Sequence, residues 1–224
     1  LPLRNPSRAP RLPDCEPRPF SYGDFELARE ALQGVDALFM VSAAESPTRE
    51  QEHLTLVRAA QAAGIQHLVY LSFAEARPDS TFTLARTHAV TEDAIRRSTM
   101  KHTFVRDNFY SELIARLADD EGVICGPAEQ GRVACVAQRD VAQAVANIMA
   151  DIAAGGTQHQ GRTYTLTGSQ ALSMEDVARI LTTCTGRPHR FHNETIAEAF
   201  ASRRAAYPDT PDWEIEAWVS TYTA

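Results

Sequence analysis

Three short β-prone runs, separated by two stretches of helical periodicity, constrain this chain more than any other feature. Residues 37–42 (ALFMVS), 67–73 (HLVYLSF) and 102–106 (HTFVR) are too short for helices and rich in aromatic, aliphatic and β-branched side chains. Runs of this kind fit strands of a parallel sheet covered on both faces. Between the first two, residues 48–64 repeat Leu54, Val57, Ala60 and Ala63 at helical spacing and stop at Gly64, a residue suited to the left-handed end of a helix. Between the next two, residues 84–98 carry Ala85, Ala89, Ala94 and Ile95 on one side. Strand, helix, strand, helix, strand is the signature of an α/β fold with a doubly wound parallel sheet.

The flanking segments extend this pattern. Residues 24–34 read as a helix capped by Asp24 and stopped by Gly34. Ahead of it lie residues 1–3, the end of one strand, and residues 16–20, a segment broken by Pro17 and Pro19. Beyond the third strand the pattern predicts a helical stretch over 111–120, a glycine-rich turn region over 122–131 and a helix over 140–153. A strand over 161–167 and a helix over 173–184 follow, the latter opened by the Ser173 and Asp176 capping box. The remainder, with Pro208, Pro211, Trp213 and Trp218, reads as a smaller helical lobe. Residues 1–167 are thus expected to form one α/β domain, and residues 168–224, with parts of 111–132, a mainly helical C-terminal lobe.

Composition narrows the function classes. Of 224 residues, 44% are hydrophobic and 23% charged, which disfavours disordered, fibrous and disulfide-scaffold classes. The net charge of −7 and the lack of a basic stripe argue against direct nucleic-acid binding. No apolar run approaches the roughly 18 residues of a membrane span, so no membrane insertion is expected. Cys15, Cys125, Cys135 and Cys184 form no C-x-x-C pair and have no histidine at zinc-finger spacing, which fits reduced thiols in a cytoplasm. The chain opens on Leu1 rather than Met, with no secretory signal; a segment upstream is expected.

The order of the elements and their connecting words resembles the NmrA-like branch of the atypical short-chain dehydrogenase/reductases, and within it the bacterial NAD(P)H:quinone oxidoreductases. The likeness rests on Leu3-Arg4-Asn5-Pro6, on Tyr22-Gly23-Asp24 followed by Ala31-Leu32-x-Gly34-Val35-Asp36, and on Ala59-Ala60 through Gly64-Ile65 to Tyr70-Leu71-Ser72. It continues with His88-x-x-Thr91-Glu92, Arg106-x-Asn108-x-Tyr110-Ser111-Glu112, Gly131-Arg132 through Arg139-Asp140-Val141-Ala142, and Tyr164-x-Leu166-Thr167-Gly168. The resemblance implies a Rossmann-like, NAD(P)-binding fold with a C-terminal substrate lobe. Family members begin with a strand and a Gly-x-x-Gly-x-x-Gly turn whose amides hold the cofactor pyrophosphate; nothing in this sequence matches it. They also continue past the Trp218-Val219-Ser220-x-Tyr222 segment, so this chain is expected to be part of a longer protein.

Each candidate site residue carries a functional reading and a plainer one. Arg4, followed by Asn5, stands at a strand end where a guanidinium pairs well with a 2′-phosphate; the resemblance then implies NADP(H), with NAD second, and the alternative is a solvated terminal arginine. Ser42, Ala43, Ala44 and Glu45 follow the first apolar strand, where relatives line the adenosine and ribose side of the cofactor; the alternative is an ordinary loop. Tyr22 matches a position beside the adenine, although Ser21 replaces the acid that usually precedes it. Ser72 matches the superfamily's active-site serine. Asn108, Tyr110, Ser111 and Glu112 match residues around the nicotinamide and substrate mouth, and Arg139 one that reaches back to the cofactor. Each of these also fits a polar loop or a helix start.

The His88 and Glu92 spacing bears most on mechanism. Better-known short-chain dehydrogenases place Tyr and Lys four residues apart on the corresponding helix, one face presenting both; here the spacing holds His88 and Glu92, with no lysine near. The resemblance therefore implies hydride transfer to a quinone-like small molecule rather than alcohol dehydrogenation, with His88, Asn108 and Tyr110 as catalytic candidates and His88 an acid near neutral pH. The alternative for this pair is a surface histidine with a salt-bridging glutamate. The sequence offers no third ligand to complete a metal site. A second function remains open, a nucleotide-sensing regulator of NmrA type that binds NAD(P) without turnover, and a homodimer is an open expectation for either.

Overall fold

The computed structural model describes Pro2, Leu3, Ser7, Pro13 and residues 15–224. The chain divides into two compact units, each drawn from three stretches. The first takes in Leu1–Ser72, Thr87–Val105 and Asn147–Tyr164, and the second Phe73–Arg86, Arg106–Ala146 and Thr165–Ala224.

The secondary structure runs β1 (Pro2–Leu3), β2 (Arg18–Pro19), α1 (Phe25–Ala31), β3 (Ala37–Met40), α2 (Arg49–Ala63), β4 (His67–Phe73), α3 (Thr83–Arg97) and β5 (Lys101–Asp107). It continues with α4 (Ser111–Ile114), β6 (Val123–Gly126), α5 (Gln138–Ala153), β7 (Arg162–Thr165), α6 (Met174–Thr185), β8 (Arg190–Asn193), α7 (Ile196–Ala206) and α8 (Asp212–Thr223). The main sheet has the order β3-β4-β5-β7. β3 pairs with β4 in parallel, Ala37 opposite His67 and Met40 opposite Tyr70. Six of the seven residues of β4 are buried, as a central strand covered on both faces requires. The sequence pattern of this region thus reads correctly as a doubly wound parallel α/β fold.

Local chemistry sets the ends of the elements. Asp24 caps α1 by accepting the Leu27 N–H, and Gly64 ends α2 in the left-handed conformation at φ 87°, where a side chain is strained. α1 packs on α2 through small residues, with Ala28, Ala59 and Ala60 fully buried, so the two backbones approach closely. Leu32, Met40, Leu68, Ile95 and Phe104 belong to the same core.

In the second unit, β6 and β8 form a parallel pair, Val123 opposite Arg190 and Gly126 opposite Asn193, and α6 packs on both. Here the sequence reading needs correction. The helix expected over 111–120 is the single turn of α4, the turn region over 122–131 contains β6, and β8 lies within the stretch read as helical. Both strands are four residues long and carry no alternation of their own; each is stabilised by its distant partner rather than by local propensity. α6 does open with the expected capping box between Ser173 and Asp176. No helix among the described residues is long and apolar enough to cross a membrane.

β6 ends against the last helix. A methyl group on Gly126 would overlap the ring of Tyr222. Gly126→Ala is therefore expected to destabilise the protein by about 1–3 kcal/mol through overpacking, read as a lower urea midpoint with an unchanged slope.

Candidate functional site

The first unit buries a polar network where β4 meets α3. Tyr70 and Ser72 lie two residues apart on β4, on one side of the strand, and His88 and Glu92 lie one turn apart on α3. Two strand residues advance about 6.6 Å and four helical residues about 6 Å, so the pairs meet as two rungs. On the first rung the His88 ring lies 2.9 Å by its Nδ1 from the Tyr70 hydroxyl. On the second the Ser72 hydroxyl donates to Glu92 at 2.6 Å, and Arg96, one turn further along, donates to the same carboxylate at 2.6 Å. Tyr70, Ser72, His88 and Glu92 are all buried.

The first turn of α2 supplies the cation. Arg49 Nη2 lies 3.2 Å from His88 Nε2, and its Nε donates to the Ala43 carbonyl at 3.3 Å. Because Arg49 can only donate, His88 Nε2 accepts, and the neutral ring carries its proton on Nδ1 and donates it to Tyr70. One turn on, His53 Nε2 accepts the Ala43 N–H at 2.8 Å. Its Nδ1 is 2.9 Å from the Thr91 hydroxyl, which itself donates to the Thr87 carbonyl at 2.7 Å. His53 therefore also carries its proton on Nδ1. Each tautomer is set by the neighbour that can act only as donor or only as acceptor.

Burial dominates the electrostatics. It pulls His53 down to about 3, the Arg49 charge adding to the effect, and holds His88 well below its ordinary value, with Arg49 and His53 contributing. It lowers Arg49 too, against the raising influence of Tyr70, Glu45 and Tyr22, and raises Tyr70. The expectation that His88 titrates near neutrality is thus revised: burial keeps the ring neutral and its proton is committed to Tyr70. The alternative of a surface histidine fails for the same reason.

The remaining sequence-derived residues fall into three groups. Arg4 and Asn5 lie outside the described residues. In the first unit, Tyr22 donates to the Val41 carbonyl with its ring centroid 6.1 Å from that of His53, so Tyr22, Ser42, Ala43, Ala44 and Glu45 gather beside the network. Val41, Ala44 and Glu45 are exposed there. Ser72 spends its hydroxyl hydrogen on Glu92 and is fully buried. In the second unit, the Asn108 side chain accepts the Phe109 N–H at 2.7 Å, Glu112 accepts the first N–H of α5, from Gln138, at 3.2 Å, and Arg139 stands in solvent beside Asp140. Ser111 lines a cleft of about 440 Å³ with Cys135, Val136, Thr167 and Gly168.

Three residues escaped sequence reasoning. Arg49 and His53 looked like ordinary members of an amphipathic helix, yet a cation in the first turn of α2 opposes the helix dipole, and that signal was available. Asp107 ends β5 almost fully buried and hydrogen-bonds Tyr110; burial pushes its carboxyl up to about 6 despite that bond, and raises Tyr110 as well.

Two stability outcomes follow. Ser72→Ala removes a donor from a buried carboxylate and is expected to cost about 1–3 kcal/mol in chemical denaturation. His53 is protonated more readily when unfolded, near 6.5, than when folded, near 3. Stability is thus fully present above pH 6.5 and falls as pH drops towards 3, by about 1.4 kcal/mol per unit from this residue. Urea midpoints taken across that window should show the decline, and His53→Gln should flatten it.

The NmrA-like family model matches residues 21–221. Quinone oxidoreductase 2 of Escherichia coli strain K12 is 32% identical over 213 residues, which is 92% of this chain and 72% of that protein. A (4-alkanoyl-5-oxo-2,5-dihydrofuran-3-yl)methyl phosphate reductase of Streptomyces griseus is 35% identical over 192 residues, 84% of this chain and 65% of that protein. The crystal structure of the Escherichia coli NADPH-dependent quinone oxidoreductase complexed with NADPH superposes with a TM-score of 0.86 at 29% identity, covering 99% of this chain and 77% of that one. The chain thus spans about two thirds to three quarters of these relatives, and with a family match running almost from end to end it belongs to the NmrA-like family.

Proposed function

We propose that this chain serves an NADPH-dependent reductase activity that passes hydride directly to quinones or similarly conjugated carbonyls, with NAD(H) as a weaker cofactor. The observation that carries the reading is the state of the α3 pair. His88 is held neutral with its proton committed to Tyr70, and Glu92 is engaged by Ser72 and Arg96. Neither can run the acid–base chemistry of an alcohol dehydrogenase, whereas an electron-poor acceptor needs little such help. Relatives named as reductases of a quinone and of an oxo-dihydrofuran, both conjugated carbonyls, support the same acceptor class.

The loop after β3 fits the adenosine side of the nucleotide: Ser42, Ala43 and Ala44 are small, and Val41, Ala44 and Glu45 are open to solvent. Bound NADPH supplies the hydride; a quinone takes that hydride and one proton and leaves as the hydroquinone. In the second unit Tyr110 is our candidate for the proton, with Asp107 to restore it: when the reduced acceptor takes the phenolic proton, protonated Asp107 returns one across their hydrogen bond. His88 acts in this scheme by positioning Tyr70 and Arg49. Assignment of residues 1–167 to the nucleotide and of 168–224, with parts of 111–132, to the acceptor belongs to the same proposal. The free thiols of Cys15, Cys125, Cys135 and Cys184 support a reducing, cytoplasmic setting.

The full-length protein is expected to oxidise NADPH in the presence of benzoquinone, followed by loss of nicotinamide absorbance. Cofactor binding without turnover would favour the regulatory reading instead. Turnover should decline as pH rises through about 6, where Asp107 loses its proton, and Asp107→Asn should remove that inflection. Arg4→Ala should weaken NADPH far more than NADH; equal losses would take Arg4 off the 2′-phosphate.

A further inference from the structure

Ala43 is held from both of its backbone groups by buried side chains of one helix. Its N–H goes to His53 at 2.8 Å and its carbonyl to Arg49 at 3.3 Å. Residues 49 and 53 sit one turn apart on α2, so the helix repeat sets the spacing of the two grips. The peptides of the described residues are all trans, and across a trans peptide the C=O and N–H point in opposite directions. With the Ala43 N–H turned inward, the Ser42 carbonyl on the same plane turns away from α2. With the Ala43 carbonyl turned inward, the Ala44 N–H turns away likewise, at an exposed residue.

We propose that Arg49 and His53 are positioning residues for the nucleotide, fixing both peptide planes that flank Ala43 so that the loop presents the Ser42 carbonyl and the Ala44 amide outward in one set geometry. The proposal rests on the reading that residues 42–45 contact the cofactor. It assigns a function to two residues that need touch no ligand themselves. His53 can hold the amide because its Nδ1 proton is committed to Thr91, which leaves Nε2 as the acceptor. Arg49 is braced in turn by His88 from α3, so the grip does not depend on a loose side chain. The ordering of the loop is completed when the protein folds and is not charged against binding.

The test is a comparison of four variants of the full-length protein, with NADPH as titrant and quinone turnover as second readout. His53→Leu removes the acceptor and is expected to raise the Kd for NADPH about tenfold, with kcat at saturating NADPH unchanged. His53→Gln places an amide oxygen where Nε2 stood and should restore the wild-type Kd. His53→Asn, whose shorter amide reaches Thr91 but not Ala43, should bind like His53→Leu and carries the comparison if the leucine variant does not fold. Ala44→Trp adds bulk at an exposed position of the loop and should weaken NADPH directly. If Ala44→Trp weakens binding but the leucine and asparagine variants bind as wild type, the positioning role is overturned and the loop contact stands. If none of the four changes binding, the loop contact itself is overturned. If His53→Gln binds as poorly as His53→Leu, the acceptor geometry is overturned as the cause.

Discussion

The register between β4 and α3 is the constraint on which the rest of the first unit depends. A strand that advances two residues and a helix that advances one turn cover nearly the same distance, so Tyr70 meets His88 and Ser72 meets Glu92. Slipping the helix by one residue would leave a phenol, a carboxylate and an imidazole buried without their partners, each at a cost of about 1–3 kcal/mol or more. The polar rungs therefore fix a register that the surrounding leucine, isoleucine and alanine packing would specify less sharply. They also place Arg96 over the Phe104 ring, 4.7 Å from its centroid, which ties the helix to the next strand.

The network carries few formal charges for its size. Two histidines are kept neutral by burial, and the Glu92 carboxylate is paired with an arginine whose own side chain reaches the surface. Arg49 is the buried cation, and it is directed at a ring nitrogen and a carbonyl oxygen. The arrangement is one in which hydrogen-bond direction, not net charge, carries the specificity. Each neutral histidine has one donor and one acceptor, and the neighbours leave only one way to assign them.

Much of this was legible in the sequence where the information is local. The apolar runs at 37–42 and 67–73 and the stop at Gly64 gave the strands and helices of the first unit within a residue or two, because burial on both faces and a left-handed terminus leave local marks. The spacing of His88 and Glu92 drew attention to the right turn of the right helix. What could not be read was which side chains they would meet. Tyr70 precedes His88 by 18 positions and Arg49 precedes His88 by 39, and no periodicity reports such a contact. β6 and β8 escaped for the same reason: VICG and RFHN become strands only when the chain folds back to pair positions 67 residues apart. Asp107 was hidden differently, as one acidic letter at the end of a strand whose burial emerges only in three dimensions.

The two units are interleaved along the chain, three stretches each, and this limits how such a protein can change. A single crossover anywhere in the gene divides at least one unit between two parents, and a single break in the polypeptide releases neither as a contiguous piece. The loop after β3 and the Tyr110 segment thus cannot be traded as parts of intact modules: a crossover that replaces one whole unit divides the other. Diversification towards new acceptors has to proceed by substitutions and loop changes within an intact frame, not by shuffling modules.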